Sequence, residues 1–265
     1  MLELLEPFAD YLQRKALFRP EPLPAAHRFS FGDAAFEEHF LPTADGARLN
    51  VLCFWARGQQ KRGAVLYFHG NRGNLQRWGH LHVHFTQRGY DFVVPDYRGY
   101  GKSTGRPHER TLYEDARRLY DWMREQYPAA QIGLYGRSLG SAPAAYLAAH
   151  VRARHLILET PFDSIPGLLA AYLGRERLPI RTTFVFPNDR HLRQSPLPIL
   201  LFHGTADRVV PLRCAERLRA CLKPTDEFVV IPGGAHNNLP TFPLYQQTLS
   251  RWLGLSAYTD INRYS

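Results

Sequence analysis

The sequence has little cysteine: three residues in 265, at scattered positions. An odd count without a Cys-x-x-Cys pair excludes a disulfide framework and argues against a structural zinc site. No apolar run approaches the roughly 18 residues of a membrane-spanning helix, and internal repeats and Gly/Ser-rich linkers are also absent. The cysteine usage indicates a reducing compartment, with the cytoplasm as the expected location.

The amino terminus does not have the pattern of a secretory signal. Acidic residues at positions 3, 6 and 10 stand where a signal would have a positive patch followed by an unbroken apolar stretch. Apolar residues spaced from Leu4 to Leu12 instead predict a short amphipathic helix. Such a helix packs on the domain or makes peripheral contact with a membrane surface, and the sequence leaves both open.

Basic residues outnumber acidic ones by 33 to 24, which gives a formal net charge of +9. A surplus of this size can attract anionic lipid or nucleic acid. The basic residues are dispersed over unrelated segments without a recognisable nucleic-acid module, so nucleic acid is not expected as a partner. The glycine-containing loop at 69–74 lacks the Gly-Lys-Ser/Thr ending of a phosphate-binding loop, and neither a cofactor nor a metal is expected.

Buried strands alternate with amphipathic helices along most of the chain, which predicts an α/β fold. The expected architecture is a mostly parallel central sheet with helices on both faces. Strands are predicted over 36–42, 49–56, 64–68, 90–95, 132–135, 155–158, 197–202 and 227–231. Helices are predicted over 75–88, 109–127, 138–150, 212–222 and 244–253.

Residues 160–196 break this alternation with five prolines and much apolar surface. We interpret the segment as a small cap insertion over a binding cleft, although a helical excursion covering the sheet edge would have the same composition. The predicted divisions are an N-terminal helix and lead-in (1–35), the main domain (36–254) and a tail (255–265). The cap residues expected to contact substrate are Leu168, Leu169, Tyr172, Phe184 and Phe186, rimmed by Arg175, Arg177 and Arg181.

The segment Gly136-Arg137-Ser138-Leu139-Gly140 lies between a predicted strand and an Ala-rich helix. The Gly-x-Ser-x-Gly pattern alone is weak, but in this position it predicts a tight turn that exposes Ser138 as a nucleophile. A serine that only capped the helix would not require both glycines.

Serine needs a base to take its proton and a third group to orient that base. Asp207 and His236 each follow their own predicted strand, at the same rim as Ser138 and in the chain order serine, acid, histidine. Glu159 and Asp163 are the competing acids. A tetrahedral intermediate also needs N–H donors for its oxyanion, and we expect these from Leu139 and from the 69–74 loop, with Asn71 as the best candidate.

These motifs resemble the α/β-hydrolase superfamily, specifically the small serine hydrolases of the abhydrolase-domain branch. That branch includes protein depalmitoylases and lysophospholipid lipases, and the resemblance extends to serine aminopeptidases. The matching pieces are HGNRGN (69–74), DYRGYGKS (96–103), GRSLGS (136–141), ETPF (159–162), HGTAD (203–207) and GAHN (234–237). The resemblance implies the α/β-hydrolase fold and a triad of Ser138, Asp207 and His236.

The sequence therefore predicts a serine hydrolase that cleaves carboxylic esters or thioesters through an acyl-enzyme on Ser138. His236 is expected to act as general base and acid, and Asp207 to orient it. A small-molecule ester or thioester is the expected partner. Amide hydrolysis on the same triad, as in serine aminopeptidases, and a catalytically silent fold that binds a ligand are the alternatives. The oligomeric state is left open.

Overall fold

One eight-stranded sheet organises the chain in the computed structural model, which describes residues 2–58, 61–176 and 182–254. The predicted tail 255–265 and the expected rim residues Arg177 and Arg181 lie outside the described residues. The strands are β1 (Phe36–Pro42), β2 (Arg48–Phe54), β3 (Gly63–Phe68), β4 (Tyr90–Pro95), β5 (Ile132–Arg137), β6 (His155–Glu159), β7 (Ile199–Gly204) and β8 (Glu227–Ile231).

The strand order across the sheet is β8-β7-β6-β5-β3-β4-β2-β1. The pairs β1–β2 and β2–β4 are antiparallel, and the five remaining neighbouring pairs are parallel. This confirms the predicted mostly parallel α/β sheet. Since parallel strands share their direction, the loops that follow β3, β5, β7 and β8 all leave the sheet at the same edge.

Helices cover both faces of the sheet. They are α1 (Leu2–Leu17), α2 (Leu75–Trp78), α3 (Val83–Thr86), α4 (Glu109–Arg124), α5 (Ser141–His150), α6 (Ile165–Tyr172), α7 (Asn188–Gln194), α8 (Leu212–Leu218) and α9 (Pro243–Trp252). None of the helices in the described ranges is long and apolar enough to cross a membrane.

The helix predicted over 75–88 is wrong as one continuous element. The chain forms α2, a 3₁₀ turn over Gly79–His82, and then α3. Gly79 lies in the middle of this stretch, where glycine weakens a helix. A side chain there would overlap the ring of Phe31, so close packing against Phe31 requires the glycine that interrupts the helix.

Alternating strand residues divide the core into two layers. In β3, Leu66 and Phe68 point to the layer that contains α4 and α5, whereas Val65 and Tyr67 point to the opposite layer with α9. The predicted apolar face of α4 is confirmed, since it is buried in the first layer. Its members are Leu112, Ala116, Leu119 and Met123.

The insertion between β6 and β7 contains α6 and α7. Phe184 and Phe186, expected to contact substrate, are instead completely buried. Their rings stack at 6.0 Å and both contact the ring of Phe18, which follows α1. Part of the insertion's apolar surface therefore packs against the N-terminal lead-in and the core.

The N-terminal lead-in reaches the rim of the sheet through a two-residue parallel ladder. Arg19 and Pro20 pair with Arg72 and Gly73, which belong to the loop after β3. The Arg19 N–H donates to the carbonyl of Asn71 at 3.0 Å. This ladder places the chain that follows α1 beside the loop expected to supply an oxyanion donor.

Candidate active site

Ser138 lies on a sharp turn between β5 and α5. Its φ of +52° is in the left-handed region, which non-glycine residues adopt at an energetic cost. The residue begins a 3₁₀ turn, Ser138–Gly140, and its side chain lines a cleft at the carboxyl edge of the sheet. A strained serine in this position has the geometry of a nucleophile elbow.

Close contacts with neighbouring atoms leave no room for a side chain at either of the two glycines around Ser138. A Cβ atom on Gly140 would overlap the carbonyl oxygen of Phe68, at the end of β3. On Gly136 it would overlap the carbonyl oxygen of Gly140 and approach the Ala144 side chain at 2.7 Å. The turn can therefore sit this close to the neighbouring strand only without side chains at those two positions.

Asp207 and His236 meet through a direct hydrogen bond. Nδ1 of His236 lies 2.8 Å from Oδ2 of Asp207. The other carboxylate oxygen, Oδ1, accepts from the backbone N–H groups of Val209 and Val210, both at 2.8 Å. The Asp207 carboxylate is thus held on both sides, and because it can only accept, the proton between the two residues sits on Nδ1.

The Asp207 carboxyl remains ionised well into the acidic range. Burial by itself would raise its pKa, but the hydrogen bond and charge interaction with His236, together with the Val210 N–H, hold the pKa below the ordinary value. His203 lies beneath this carboxylate, with Nε2 3.5 Å from Oδ2 of Asp207 and 2.8 Å from the Val210 carbonyl. Burial lowers the pKa of His203.

Ser138 and His236 line the same cleft. Among the described residues, none forms a hydrogen bond with the Ser138 hydroxyl. Catalytic hydrogen bonds are often long without substrate and shorten when it binds. The structure therefore brings together the three residues that the sequence singled out and joins two of them directly.

The competing acids make other contacts. The Asp163 carboxylate lies 3.5 Å from the Arg217 guanidinium. Glu159 accepts a hydrogen bond from the Tyr135 hydroxyl at 2.6 Å and lies 3.3 Å from Arg137 Nε. Neither carboxylate is hydrogen-bonded to His236, so Asp207 has the geometry of an orienting acid and the other two do not.

The loop after β3 fixes the peptide that carries the Asn71 N–H. Nδ1 of His69 lies 2.6 Å from the Gly70 carbonyl, and Nε2 of His69 lies 3.2 Å from Oδ1 of Asp96. Both side chains are completely buried. A trans peptide holds its N–H opposite its C=O, so anchoring the Gly70 carbonyl also sets the direction of the Asn71 N–H. Asn71 and Leu139 both line the cleft.

The cleft has a volume of about 480 Å³. One wall is apolar and includes the predicted substrate contacts Leu168, Leu169 and Tyr172. The Tyr172 hydroxyl donates to the carbonyl of Val209, which ties α6 to the loop that carries Asp207. The predicted contacts Phe184 and Phe186 do not line it, and neither does Arg175.

Residues 63–165 match the family described as alpha/beta hydrolase fold. The uncharacterized protein Rv2307c of Mycobacterium tuberculosis is 32% identical over 232 residues, which cover 85% of this chain and 81% of the relative. The chain belongs to the α/β-hydrolase superfamily. The uncharacterized protein YfhR of Salmonella typhimurium is 29% identical to this α/β-hydrolase over 220 residues, 74% of this chain and 68% of YfhR.

Solved structures share the fold of this α/β-hydrolase at low sequence identity. The esterase Pf2001 of Pyrococcus furiosus superposes with a TM-score of 0.68 at 18% identity, covering 89% of this chain and 98% of the esterase. A serine hydrolase homologue from Coxiella burnetii gives a TM-score of 0.62 at 22% identity over 81% of this chain and 96% of its own. The likeness confirms the predicted α/β-hydrolase architecture.

One set of hydrogen bonds that supports the α/β-hydrolase site was not expected from the sequence. Arg137, directly before Ser138, donates to the His236 carbonyl at 3.0 Å and to Oδ1 of Asn237 at 2.9 Å. Glu159 compensates its buried charge. Arg137 and Glu159 together therefore hold the loop that contains His236 against the end of β5. An arginine directly before Ser138 was the available sign in the sequence, but its partners come from distant parts of the chain.

Proposed function

We propose that this α/β-hydrolase is a serine hydrolase that cleaves carboxylic esters or thioesters through an acyl-enzyme on Ser138. One observation carries the proposal: the strained Ser138 shares its cleft with His236, whose Nδ1 is held 2.8 Å from Asp207. A nucleophile, a base and an orienting acid at one edge of the sheet are the parts that acyl transfer needs.

In the acylation step, Ser138 Oγ attacks the carbonyl carbon of the substrate. His236 takes the serine proton on Nε2, which is free to accept because Asp207 keeps the other proton on Nδ1. Negative charge develops on the carbonyl oxygen, and the N–H groups of Asn71 and Leu139 stabilise it. When the tetrahedral intermediate collapses, the bond to the leaving group breaks and His236 returns its proton to the departing alcohol or thiol.

In the deacylation step, water replaces the serine hydroxyl as nucleophile. His236 takes a proton from that water, hydroxide adds to the acyl carbon, and the Ser138–acyl bond breaks with the proton returning to Ser138 Oγ. The products are a carboxylic acid and an alcohol or thiol. Asp207 remains ionised throughout and stabilises the imidazolium that forms in each half of the reaction.

The charge of the cleft favours esters and thioesters over aminopeptidase substrates. An aminopeptidase substrate carries a protonated amine, which a carboxylate near the nucleophile would have to neutralise. Among the described residues that line the cleft there is no Asp or Glu, while Arg19, Arg72, Arg77 and Arg137 all line it. A cationic amine would be repelled there.

The first test combines covalent labelling with a substrate panel. A fluorophosphonate probe should label Ser138 in the folded protein and not in the urea-unfolded chain, as checked by mass spectrometry of the modified peptide. The folded protein should hydrolyse 4-nitrophenyl butyrate and S-phenyl thiobutyrate and leave alanine 4-nitroanilide intact. Iodoacetamide should not inhibit it, because all three cysteines are buried. Hydrolysis of the anilide alone would contradict the ester assignment.

The dependence of kcat/KM on acyl chain length tests whether the acyl chain binds along the apolar wall of the cleft. We expect kcat/KM to rise with chain length over the first few carbons, by up to about fourfold per CH₂ if its full transfer energy of about 0.8 kcal/mol is realised, and then to level off. Leu169→Ala should flatten this rise because Leu169 lines the cleft. Leu173→Ala is the matched control, since Leu173 lies one residue beyond α6 and is 64% exposed.

The 4-nitrophenyl esters from acetate to decanoate measure this dependence. A shallow cleft would give the opposite result: acetyl and butyryl esters would react fastest, and Leu169→Ala would lower the melting temperature without changing the chain-length preference. The enzyme would then be a short-chain esterase.

A further inference from the structure

The lining of the cleft carries a concentration of positive charge. Arg19, Arg72, Arg77 and Arg137 all line it. Arg137 is neutralised by Glu159, with 3.3 Å between Nε and the carboxylate. The other three are exposed, and within the described side chains no carboxylate lies within ion-pairing distance of them.

The backbone brings these three arginines together. The Cα atoms of Arg19 and Arg72 are direct partners in the short parallel ladder, which places two positively charged residues on neighbouring strands. Arg77 follows one helical turn after Gly73, and its Cδ would lie only 3.0 Å from a Cβ at that glycine. The side chain of Arg77 therefore packs over the same ladder.

Trp78 gives this cluster a rigid support. Its indole N–H donates to the carbonyl of Arg72 at 2.8 Å. The guanidinium groups of Arg77 and Arg137 lie 5.1 and 5.3 Å from the centre of its ring, at cation–π distance. Trp78 itself is buried and lines the cleft. Trp78 thus supports both the backbone and the guanidinium groups of this cluster, while no described carboxylate pairs with Arg19, Arg72 or Arg77.

We propose that Arg19, Arg72 and Arg77 bind an anionic group on the leaving part of the substrate, so that the enzyme acts on acyl esters or thioesters whose alcohol or thiol carries a phosphate-like or carboxylate anion. This inference rests on the proposed function. The acyl chain occupies the apolar wall beside α6, the reacting carbonyl lies at Ser138, and the remaining part of the substrate faces the arginines. Guanidinium groups bind such oxyanions with paired, charge-assisted hydrogen bonds.

Three matched esters test the inference. They are phenyl butyrates with a para phosphonomethyl, carboxymethyl or carbamoylmethyl group, which differ mainly in the charge of the leaving phenol. The wild-type enzyme should hydrolyse at least one anionic ester with a kcat/KM at least about tenfold above that of the neutral amide, as expected for hydrogen bonds to a charged group. Added salt should reduce this ratio, because the arginines are exposed to solvent.

Variants that each remove one arginine charge show which residues cause the preference for the anionic esters. The ratio of kcat/KM for the anionic ester to that for the neutral ester should fall at least about fivefold in Arg72→Gln and Arg77→Gln, and also in Arg19→Gln. Arg106→Gln removes the same charge from an exposed position outside the cleft lining and should keep the wild-type ratio. The ratio cancels any change in the amount of folded enzyme. The phosphonate and carboxylate arms show which oxyanion the site prefers.

The outcomes separate the two proposals. A wild-type ratio near one, or a ratio that the three arginine variants leave unchanged, overturns the anion site while hydrolysis of the neutral ester leaves the proposed function standing. If none of the three esters is hydrolysed, the proposed function fails. Calorimetric titration with benzylphosphonate then tests the anion site directly, since it should bind the wild-type protein and Arg106→Gln more tightly than Arg72→Gln. Absence of that difference overturns the site.

Discussion

Replacing Ser138 by alanine should lower the hydrolysis of 4-nitrophenyl butyrate by a factor on the order of 10⁴ to 10⁶, because removal of a triad nucleophile leaves only the contribution of the oxyanion donors and of binding. The fold should survive. Alanine and serine meet the same steric cost at a φ of +52°, and the Ser138 hydroxyl makes no hydrogen bond with the described residues that its removal could break.

Ser141→Ala is the matched control for this substitution. Ser141 is completely buried three residues further on, and its Oγ accepts from Nδ2 of Asn188 at 3.0 Å. That variant should lose some melting temperature and keep both activity and fluorophosphonate labelling, whereas Ser138→Ala should keep its melting temperature and lose both. Labelling that survives in Ser138→Ala would place the nucleophile elsewhere.

Much of this architecture could be predicted because its signals are local. A strand covered on both faces is a mostly apolar run, as in the fully buried β4, whose bounds agree with the predicted ones residue for residue. The bounds of β8 and of β1, a mostly exposed edge strand, agree as well. Ser138 was recognisable because two glycines flank it, and the structure gives the reason: a Cβ on either glycine would overlap neighbouring backbone.

Apolar composition predicts that a residue is buried, but it does not predict which part of the protein covers that residue. Phe184 and Phe186 lie in a segment expected to cover a cleft, and the sequence could not distinguish a cap residue from a core residue. Their partner Phe18 lies more than 160 positions away in the chain. Leu168 and Leu169, from the same segment, do line the cleft. Only the tertiary structure distinguishes the buried pair, Phe184 and Phe186, from the pair that lines the cleft, Leu168 and Leu169.

The charged parts of the site depend on still longer-range contacts. Arg19 and Arg72 become neighbours through a two-residue ladder that has no periodicity to reveal it. The expected cationic rim was placed in the insertion, yet Arg175 does not line the cleft and four arginines from other segments do. The bond between Asp207 and His236 was foreseeable only because each follows its own parallel strand and these strands end at one edge.

Asp207→Asn should reduce kcat for 4-nitrophenyl butyrate by roughly the 10⁴-fold that follows loss of an orienting carboxylate. The local geometry predicts the cause. Oδ1 accepts from the N–H groups of Val209 and Val210, and an asparagine would keep its carbonyl oxygen on those two donors. Its amide NH₂ would then face Nδ1 of His236, where the carboxylate now lies. An NH₂ group can only donate, so Nδ1 would become the acceptor and the imidazole proton would move to Nε2.

A protonated Nε2 cannot take the proton of Ser138, which is why the loss should appear in kcat with little change in KM. Asp163→Asn is the matched control: it makes the same change in a carboxylate that lies 3.5 Å from Arg217 and makes no contact with His236. Steady-state kinetics of both variants decide the assignment, with circular dichroism to verify folding. If Asp163→Asn were the more damaging change, the orienting acid would be the one that follows β6, and the hydrogen bond between Asp207 and His236 would have only a structural role.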